Sequence, residues 1–536
     1  MLVGQVYRAE RTSGRWDAIV VGSGIGGLAA AALLAKAGRR VLVLERHYVA
    51  GGFTHVFRRP GFEWDVGVHY IGGVQREDAS LRLLFDDLSE GRLEWAPMDP
   101  VYDRVIVGER RFDFVAGREA FLEGLTREFP GERRVIERYL DLVHRASRAA
   151  GLFFAERALP PWLGAPLRPL LGWPFRRHSD RTTFDVLDGL GASPELTGVL
   201  TAQWGDYGLP PRRSSFAIHA MVARHYLAGG SYPVGGAGRI AATIVPTIEK
   251  AGGTVLVSAE VERILVRNGR ASGVRLKDGH EVVAPLVVSD AGVANTFGRL
   301  LGPEPPAWAR ARLSAVSPSV GHVCLYLGLN GSARELDLPR TNLWIYPGYD
   351  HDANVARYLA DRNAPLPAAY VSFPSAKDPD WDRRHPGRAT VEVVGFAPYE
   401  WFEPWRDAPW RRRGPEYEGL KAQLQERLLD AALRHVPQVG LGRIAHAELS
   451  TPLSTRHFAG YARGEIYGLD HTPARFRQPW LRPHTPIAGL FLTGQDIVTD
   501  GVAGALAGGV LAASAILRRN VRRQAIERGR KQRSGS

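Results

Sequence analysis

Trp16-Asp17-Ala18-Ile19-Val20-Val21-Gly22-Ser23-Gly24-Ile25-Gly26-Gly27-Leu28, near the start of the 536-residue chain, decides how the rest is read. Ala18 to Val21 is a short apolar run with β-branched members, as expected of a strand buried on both faces. Gly22, Gly24 and Gly27 follow in G-x-G-x-x-G order, and Leu28 to Ala37 is a strong helix former. Val41 to Leu44 predicts a second strand, which Glu45 ends. Gly22 permits the tight turn, Gly24 lets the backbone approach a pyrophosphate, and Gly27 lets the helix lie close to the strand. With Ser23, Ile25 and Gly26 between them, they bring unpaired N–H groups and a positive dipole end to the phosphates. Glu45 stands 18 residues after Gly27, near the spacing of an acid that bonds a ribose hydroxyl. A carboxylate there repels a 2′-phosphate, so the expected ligand is FAD or NAD rather than NADP.

A second glycine turn lies at the other end of the chain. Leu490-Phe491-Leu492 is strand-like and leads to Gly494-Gln495-Asp496; a further helix begins at Gly501-Val502-Ala503. Two such turns suit a ligand with a long middle, which favours FAD over NAD. Between them, Asn268-Gly269 and Asp278-Gly279 are hairpin signals in a strand-rich block. Val287-Val288-Ser289 then reads as a buried strand returning to the nucleotide domain.

The length calls for two or three domains. Hydrophobic content of 45% and charged content of 23% describe a globular chain. Residues 1–80, 229–295 and 483–518 are assigned to one FAD-binding domain, while 81–228 and 296–482 are assigned to a substrate domain with a membrane-facing insertion. Residues 519–536 read as a basic, disordered tail that carries much of the +13 net charge. Met1 to Arg15 shows no apolar core of signal-peptide length. The single cysteine, Cys324, excludes an intramolecular disulfide framework and a multi-cysteine metal site, so no metal is expected. Its scarcity fits a cytoplasmic protein. No motif for nucleic acid is present. Gly151 to Arg177 interleaves aromatics with arginines on a proline-rich segment, which suits peripheral contact with membrane lipid; the alternative is packing on neighbouring helices, since proline breaks a clean amphipathic helix.

The motifs resemble those of the phytoene desaturase and amine oxidase superfamily of flavoproteins. Gly22-x-Gly24-x-x-Gly27, Glu45-Arg46 and Gly51-Gly52 match its FAD signature. Further stretches resemble more narrowly the retinol saturases (all-trans-retinol 13,14-reductases) and carotenoid isomerases: Asp65-Val66-Gly67-Val68-His69-Tyr70-Ile71-Gly72, Ser372-Phe373-Pro374-Ser375-Ala376-Lys377-Asp378-Pro379, Tyr467-Gly468-Leu469-Asp470-His471 and Leu492-Thr493-Gly494-Gln495-Asp496. The resemblance implies an α/β fold, with a Rossmann-type FAD-binding domain assembled from discontinuous segments and an α+β substrate domain. By position it implies that Gly22 to Gly27, Glu45 and Arg46 hold the ADP part, and that Val261 meets the adenine through its backbone. Gly494, Gln495 and Asp496 would meet the pyrophosphate and ribityl, Gly501 to Ala503 the isoalloxazine, and Gly67 and His69 would lie near the ring. Many members carry an acid directly after the last glycine, where Gln495 stands, so either Gln495 or Asp496 faces the ribityl.

The expected function is that of an FAD-dependent oxidoreductase saturating a C=C bond of a lipophilic polyene, a retinoid or carotenoid. Carotenoid isomerisation and phytoene-type desaturation share the scaffold, and a flavin-stabilised lipid-binding protein is the non-enzyme alternative. His69 and Tyr70 are the candidate catalytic residues, as proton donors. The electron partner is not readable from sequence.

Overall fold

Ala18–Val21 and Val41–Leu44 lie side by side in a six-stranded sheet, with every residue of both buried. Its order is Gln5–Val6, Thr254–Val257, Val41–Leu44, Ala18–Val21, Val287–Ser289, Leu490–Leu492, all parallel. A parallel sheet needs cover on both faces, and alternate residues show what supplies it. Ala18, Val20, Val41 and Val43 pack under helices Ile25–Lys36, Arg239–Lys250 and Gly501–Leu517. Ile19, Val21, Leu42 and Leu44 pack on a three-stranded antiparallel sheet, Val261–Arg267, Arg270–Leu276 and Glu281–Val283. The computed structural model describes residues 3–534; residues 1–2 and 535–536, at the ends of the outermost sequence spans, lie outside the described residues.

The second layer is a seven-stranded mixed sheet ordered Ile444–Ser450, His322–Asn330, Arg388–Phe396, Ala369–Ser372, Asn342–Tyr346, Val101–Val107, Arg110–Val115. Helix Pro415–His435 covers one face through Leu420, Leu424 and Leu428. A helical layer that includes Arg133–Ala158 and Phe216–Tyr226 covers the other. The hairpin Val56–Arg59 and Phe62–Asp65 joins the two halves, and Trp64 donates its indole N–H to the Leu327 carbonyl at 3.0 Å.

Three expectations change. Residues 519–534 of the span read as a disordered tail are not disordered, because Val521–Ser534 is helical; 535–536 lie outside the described residues. Val521 and Ala525, one turn apart, are buried in the nucleotide core, while Arg528 and Arg533 pair with the buried Asp87 and Asp86 at 2.8 and 2.6 Å. Those carboxylates relieve the like-charge repulsion that made the segment read as disordered. Their helix, Ser80–Ser89, buries Leu84, Phe85 and Leu88 in the same core, so the stretch grouped with the substrate domain begins on the nucleotide side. Finally, Pro161–Ser179 is one helix despite Pro166, Pro169 and Pro174 inside it. Packing holds it: Phe175 stacks on Phe153 of the preceding helix at 4.3 Å, so neither ring is on the surface.

Candidate active site

The glycine fingerprint builds the first cradle. Gly22 has φ +98°, which favours glycine, and a Cβ on Gly27 would strike the Gly22 carbonyl. Gly51 and Gly52 turn back over this loop with φ +129° and +54°, and a Cβ on Gly52 would stand 2.9 Å from the Gly24 Cα. Glu45 is buried beside it. Its Oε2 accepts from the Ser23 amide and hydroxyl at 2.9 and 2.7 Å, and its Oε1 from the His47 amide at 2.7 Å. Ser23 therefore braces the acid and also accepts from the Gly51 amide at 3.1 Å. Arg46 sits under the Gly460 turn and Val261 opens its strand, both on the cavity wall.

Asp290, absent from the sequence expectations, completes this cradle. It follows strand Val287–Ser289 and its carboxyl lies against Gly24, Gly26 and Gly27. Burial, with Glu45 and Asp496 nearby, pushes it up to about 8, against the pull of the Gly27 and Gly24 amides. At neutral pH it thus adds little negative charge where phosphates would go. The usable signal was its place, an acid directly after an apolar strand, as Glu45 also is.

Gly494, at φ +86°, builds the second cradle, and Gly501 at φ +71° opens helix Gly501–Leu517 with Val502 and Ala503 on the cavity wall. Asp496 is a brace, with Oδ2 accepting from the Val293 amide at 2.7 Å and Oδ1 from the Leu469 amide at 3.1 Å. Gln495 donates to the Tyr461 hydroxyl at 3.0 Å, and buried Arg475 donates to the Gln495 carbonyl at 2.8 Å. Both helix N-termini open into one cavity of about 2040 Å³. A pocket for a small molecule is typically ~300–1,000 Å³, so there is room for a dinucleotide and a second molecule. The residues fit the expected cofactor: backbone lines the trough where side chains would close it, and the trough spans both cradles.

Beyond the second cradle the cavity becomes aromatic, walled by Tyr70, Trp204, Tyr226, Trp344, Tyr370 and Phe396. Gly67 and both catalytic candidates are on this wall. His69 Nδ1 lies 2.8 Å from Glu392, and burial beside Lys377 lowers the imidazole to about 4, so it is neutral at pH 7 and a poor acid. Tyr70 stacks on Tyr226 at 4.1 Å, and its hydroxyl faces Asp103 at 2.9 Å and Asp206 at 3.4 Å. Burial, then the two carboxyls, hold its pKa well above the usual 10. Asp206, inside Trp204-Gly205-Asp206-Tyr207, also lines the cavity. Only its isolation as an acid among apolar residues marked it in the sequence.

The parallel sheet, the paired glycine cradles and the aromatic chamber define an oxidoreductase of the dinucleotide-binding type with a separate substrate layer. A model of the flavin containing amine oxidoreductases matches residues 25–517. The chain belongs to that family, and its cofactor is a flavin. It is 39% identical to the all-trans-retinol 13,14-reductase of Macaca fascicularis, over 96% of this chain and 88% of that one. A Danio rerio relative named as an inactive all-trans-retinol 13,14-reductase is 33% identical over 96% of this chain and 87% of its own. Among solved structures, putrescine oxidase has the same fold, with a TM-score of 0.61 at 16% identity over 94% of this chain and 100% of that one.

Proposed function

We propose that the chain is an FAD-dependent oxidoreductase that saturates a C=C bond of a lipophilic polyene, a retinoid or carotenoid. The observation that carries this reading is the continuity of the cavity. Both cradles and the aromatic chamber are one space, and it runs out between Ala150–Leu163 and Leu511–Arg522 to the exposed Trp162 and Leu163. The retinol-reductase relatives supply the substrate class, and the two cradles favour FAD over a shorter flavin. Bound FAD supplies the hydride chemistry. The chain's own part is to hold the phosphates on the Gly24 and Gly494 turns, to exclude water with the aromatic walls, and to align an extended apolar molecule along them. An amine cage fits less well, because Tyr70 and Tyr226 stack directly on each other and leave no slot between their rings.

The test is an anaerobic spectrum of the pre-reduced protein mixed with all-trans-retinol. The expected result is return of the oxidised-flavin absorption together with a blue shift of the polyene band, since saturation shortens the conjugation. A band that barely moves while the flavin stays reduced indicates isomerisation. A red shift with oxidised flavin indicates desaturation. Spectra unchanged in both states, for retinol and carotenoids alike, sink the reading; the inactive zebrafish relative makes that outcome worth testing first.

The mouth of the cavity is proposed to meet a membrane surface. No single helix among the described residues is long and apolar enough to cross one. Helix Pro161–Ser179 nevertheless exposes Trp162, Leu170 and Trp173 by 77%, 75% and 60%. At 100° per residue, Trp162 and Trp173 fall on one line of the helix, with arginines around them, the arrangement of an interfacial anchor. Replacing both tryptophans by Ser is expected to lower co-sedimentation with anionic liposomes severalfold. Unchanged sedimentation would remove the proposal.

A further inference from the structure

We propose that Asp206 is the proton donor of this site: its carboxylic acid faces the aromatic chamber and gives its proton to the polyene carbon next to the one that receives hydride. The proposal rests on the polyene reading above and deepens it.

The argument is one of hydrogen-bond accounting. Tyr70 has a single hydroxyl proton and two carboxyl neighbours. Asp103 is fully buried and already accepts from Gln203 Nε2 at 2.8 Å and Asn342 Nδ2 at 2.9 Å. Burial raises the Asp103 carboxyl, but the donors of Asn342, Tyr70 and Gln203 and the nearby Lys377 pull it back, so of the two carboxyls Asp103 is the one whose charge is compensated. The Tyr70 hydroxyl, 2.9 Å from the same Asp103 Oδ2, completes that set. Nothing is then left of the Tyr70 proton for Asp206, whose Oδ2 nonetheless stands 3.4 Å from the same phenol oxygen. A second carboxylate there would set two like charges across one oxygen. The arrangement is satisfied when Asp206 is protonated and donates to Tyr70.

The position fits the role. Asp206 closes the short helical turn Ala202–Asp206 and is held at the chamber by its neighbour Gly205, whose carbonyl accepts from the Tyr467 hydroxyl at 2.6 Å. The ionisable groups around it are Asp103, Asp500, Tyr70, Tyr207, Tyr226, Tyr346, Tyr370 and Tyr467. Burial first, then the charges of Asp103 and Asp500, raise its pKa well above the usual carboxyl range, against the pull of Tyr70. Burial beside a second carboxyl is the setting in which a carboxylic acid keeps its proton.

The step balances. The Asp206 O–H turns from Tyr70 to the substrate and breaks, and a C–H bond forms with the π pair of the C=C; the hydride for the neighbouring carbon, and the two electrons with it, would come from the bound reduced flavin. Asp206 is left as a carboxylate and takes its next proton from water. Tyr70, whose own proton is committed to Asp103, is a positioning residue.

The test is Asp206→Asn, which keeps shape and removes the acid, beside Asp206→Glu, which restores one. Infrared difference spectra of the resting holoproteins at neutral pH are expected to show a protonated-carboxyl carbonyl band in wild type that Asp206→Asn lacks. Turnover of all-trans-retinol by the reduced protein is expected to fall on the order of 10²–10⁴-fold in Asp206→Asn, the usual worth of a general acid. Asp206→Glu should recover part of it, with retinol quenching of tryptophan fluorescence unchanged in all three. Wild-type turnover by Asp206→Asn, or no difference band, overturns the proposal. A wild-type protein that shows the band but reduces no polyene overturns the functional reading instead.

Discussion

Gly509→Ala is expected to strip most of the flavin from the purified protein and to lower its melting temperature, although residue 509 does not line the cofactor trough. In an exposed helix the change would be favourable by ~1 kcal/mol on propensity. Here helix Gly501–Leu517 crosses helix Ile25–Lys36 at backbone distance. A Cβ on Gly509 would stand 2.7 Å from the Ala29 Cβ and 3.0 Å from the Ala30 amide, and closer still to the Gly26 carbonyl. None of these is a flexible side-chain end, so a helix must move. Overpacking of this kind costs about 1–3 kcal/mol. The movement pries apart the two helix N-termini that meet the cofactor, and about 1.4 kcal/mol of lost binding is a tenfold weaker complex. The ratio of flavin to protein absorbance after gel filtration measures it. Gly419→Ala is the control, because that helical glycine faces open space; it should keep its flavin. If both variants retain full flavin, the close crossing does not set the trough.

That crossing shows what was legible in the sequence. Gly22 to Gly27, Glu45 and Gly494 announce themselves because each is a local requirement of a strand–turn–helix, readable from a dozen consecutive residues. The hairpin turn at Asn268-Gly269 is local in the same way, and both residues take positive φ, +50° and +71°. The substrate chamber is not local. Tyr70, Asp103, Asp206 and Asn342 meet through strands and turns far apart in the chain, and no periodicity links them. Charge patterning misled at the C-terminus because the partners of Arg528 and Arg533 are two carboxylates more than 400 residues earlier. Proline counting misled at Pro161–Ser179 because packing on Phe153 outweighs the lost amide donors.

Lys377→Met should cost the fold about 3–5 kcal/mol, the range for breaking a buried charge cluster by removing one partner. Lys377 is 1% exposed, and its ammonium donates to the His69 carbonyl at 3.0 Å, the Ser372 hydroxyl at 2.8 Å and the Asn342 side-chain oxygen. Three protons meet three acceptors, and the carboxyls of Glu392, Asp103 and Asp65 surround them. Methionine fills the volume but leaves those acceptors without a donor. The loss should also depend on pH. Burial lowers Lys377 from 10.5 to about 7, so the unfolded chain binds the extra proton between these values; stability from this group rises as pH climbs from about 7 and is lost as pH falls through it. Burial raises Glu392 to about 8 although Lys377 holds it down, so its stabilising share, full below its unfolded pKa, disappears as pH rises towards 8. The depressed Lys377 pKa therefore widens the gap between wild type and Lys377→Met as pH rises above 7. Urea midpoints on either side of neutrality measure it, and a gap that narrows on the alkaline side would show that burial does not hold Lys377 below its ordinary value. Because the same ammonium fixes the His69 carbonyl, and with it the Gly67–Tyr70 wall of the chamber, a folded remnant of the variant should also bind retinol more weakly than wild type.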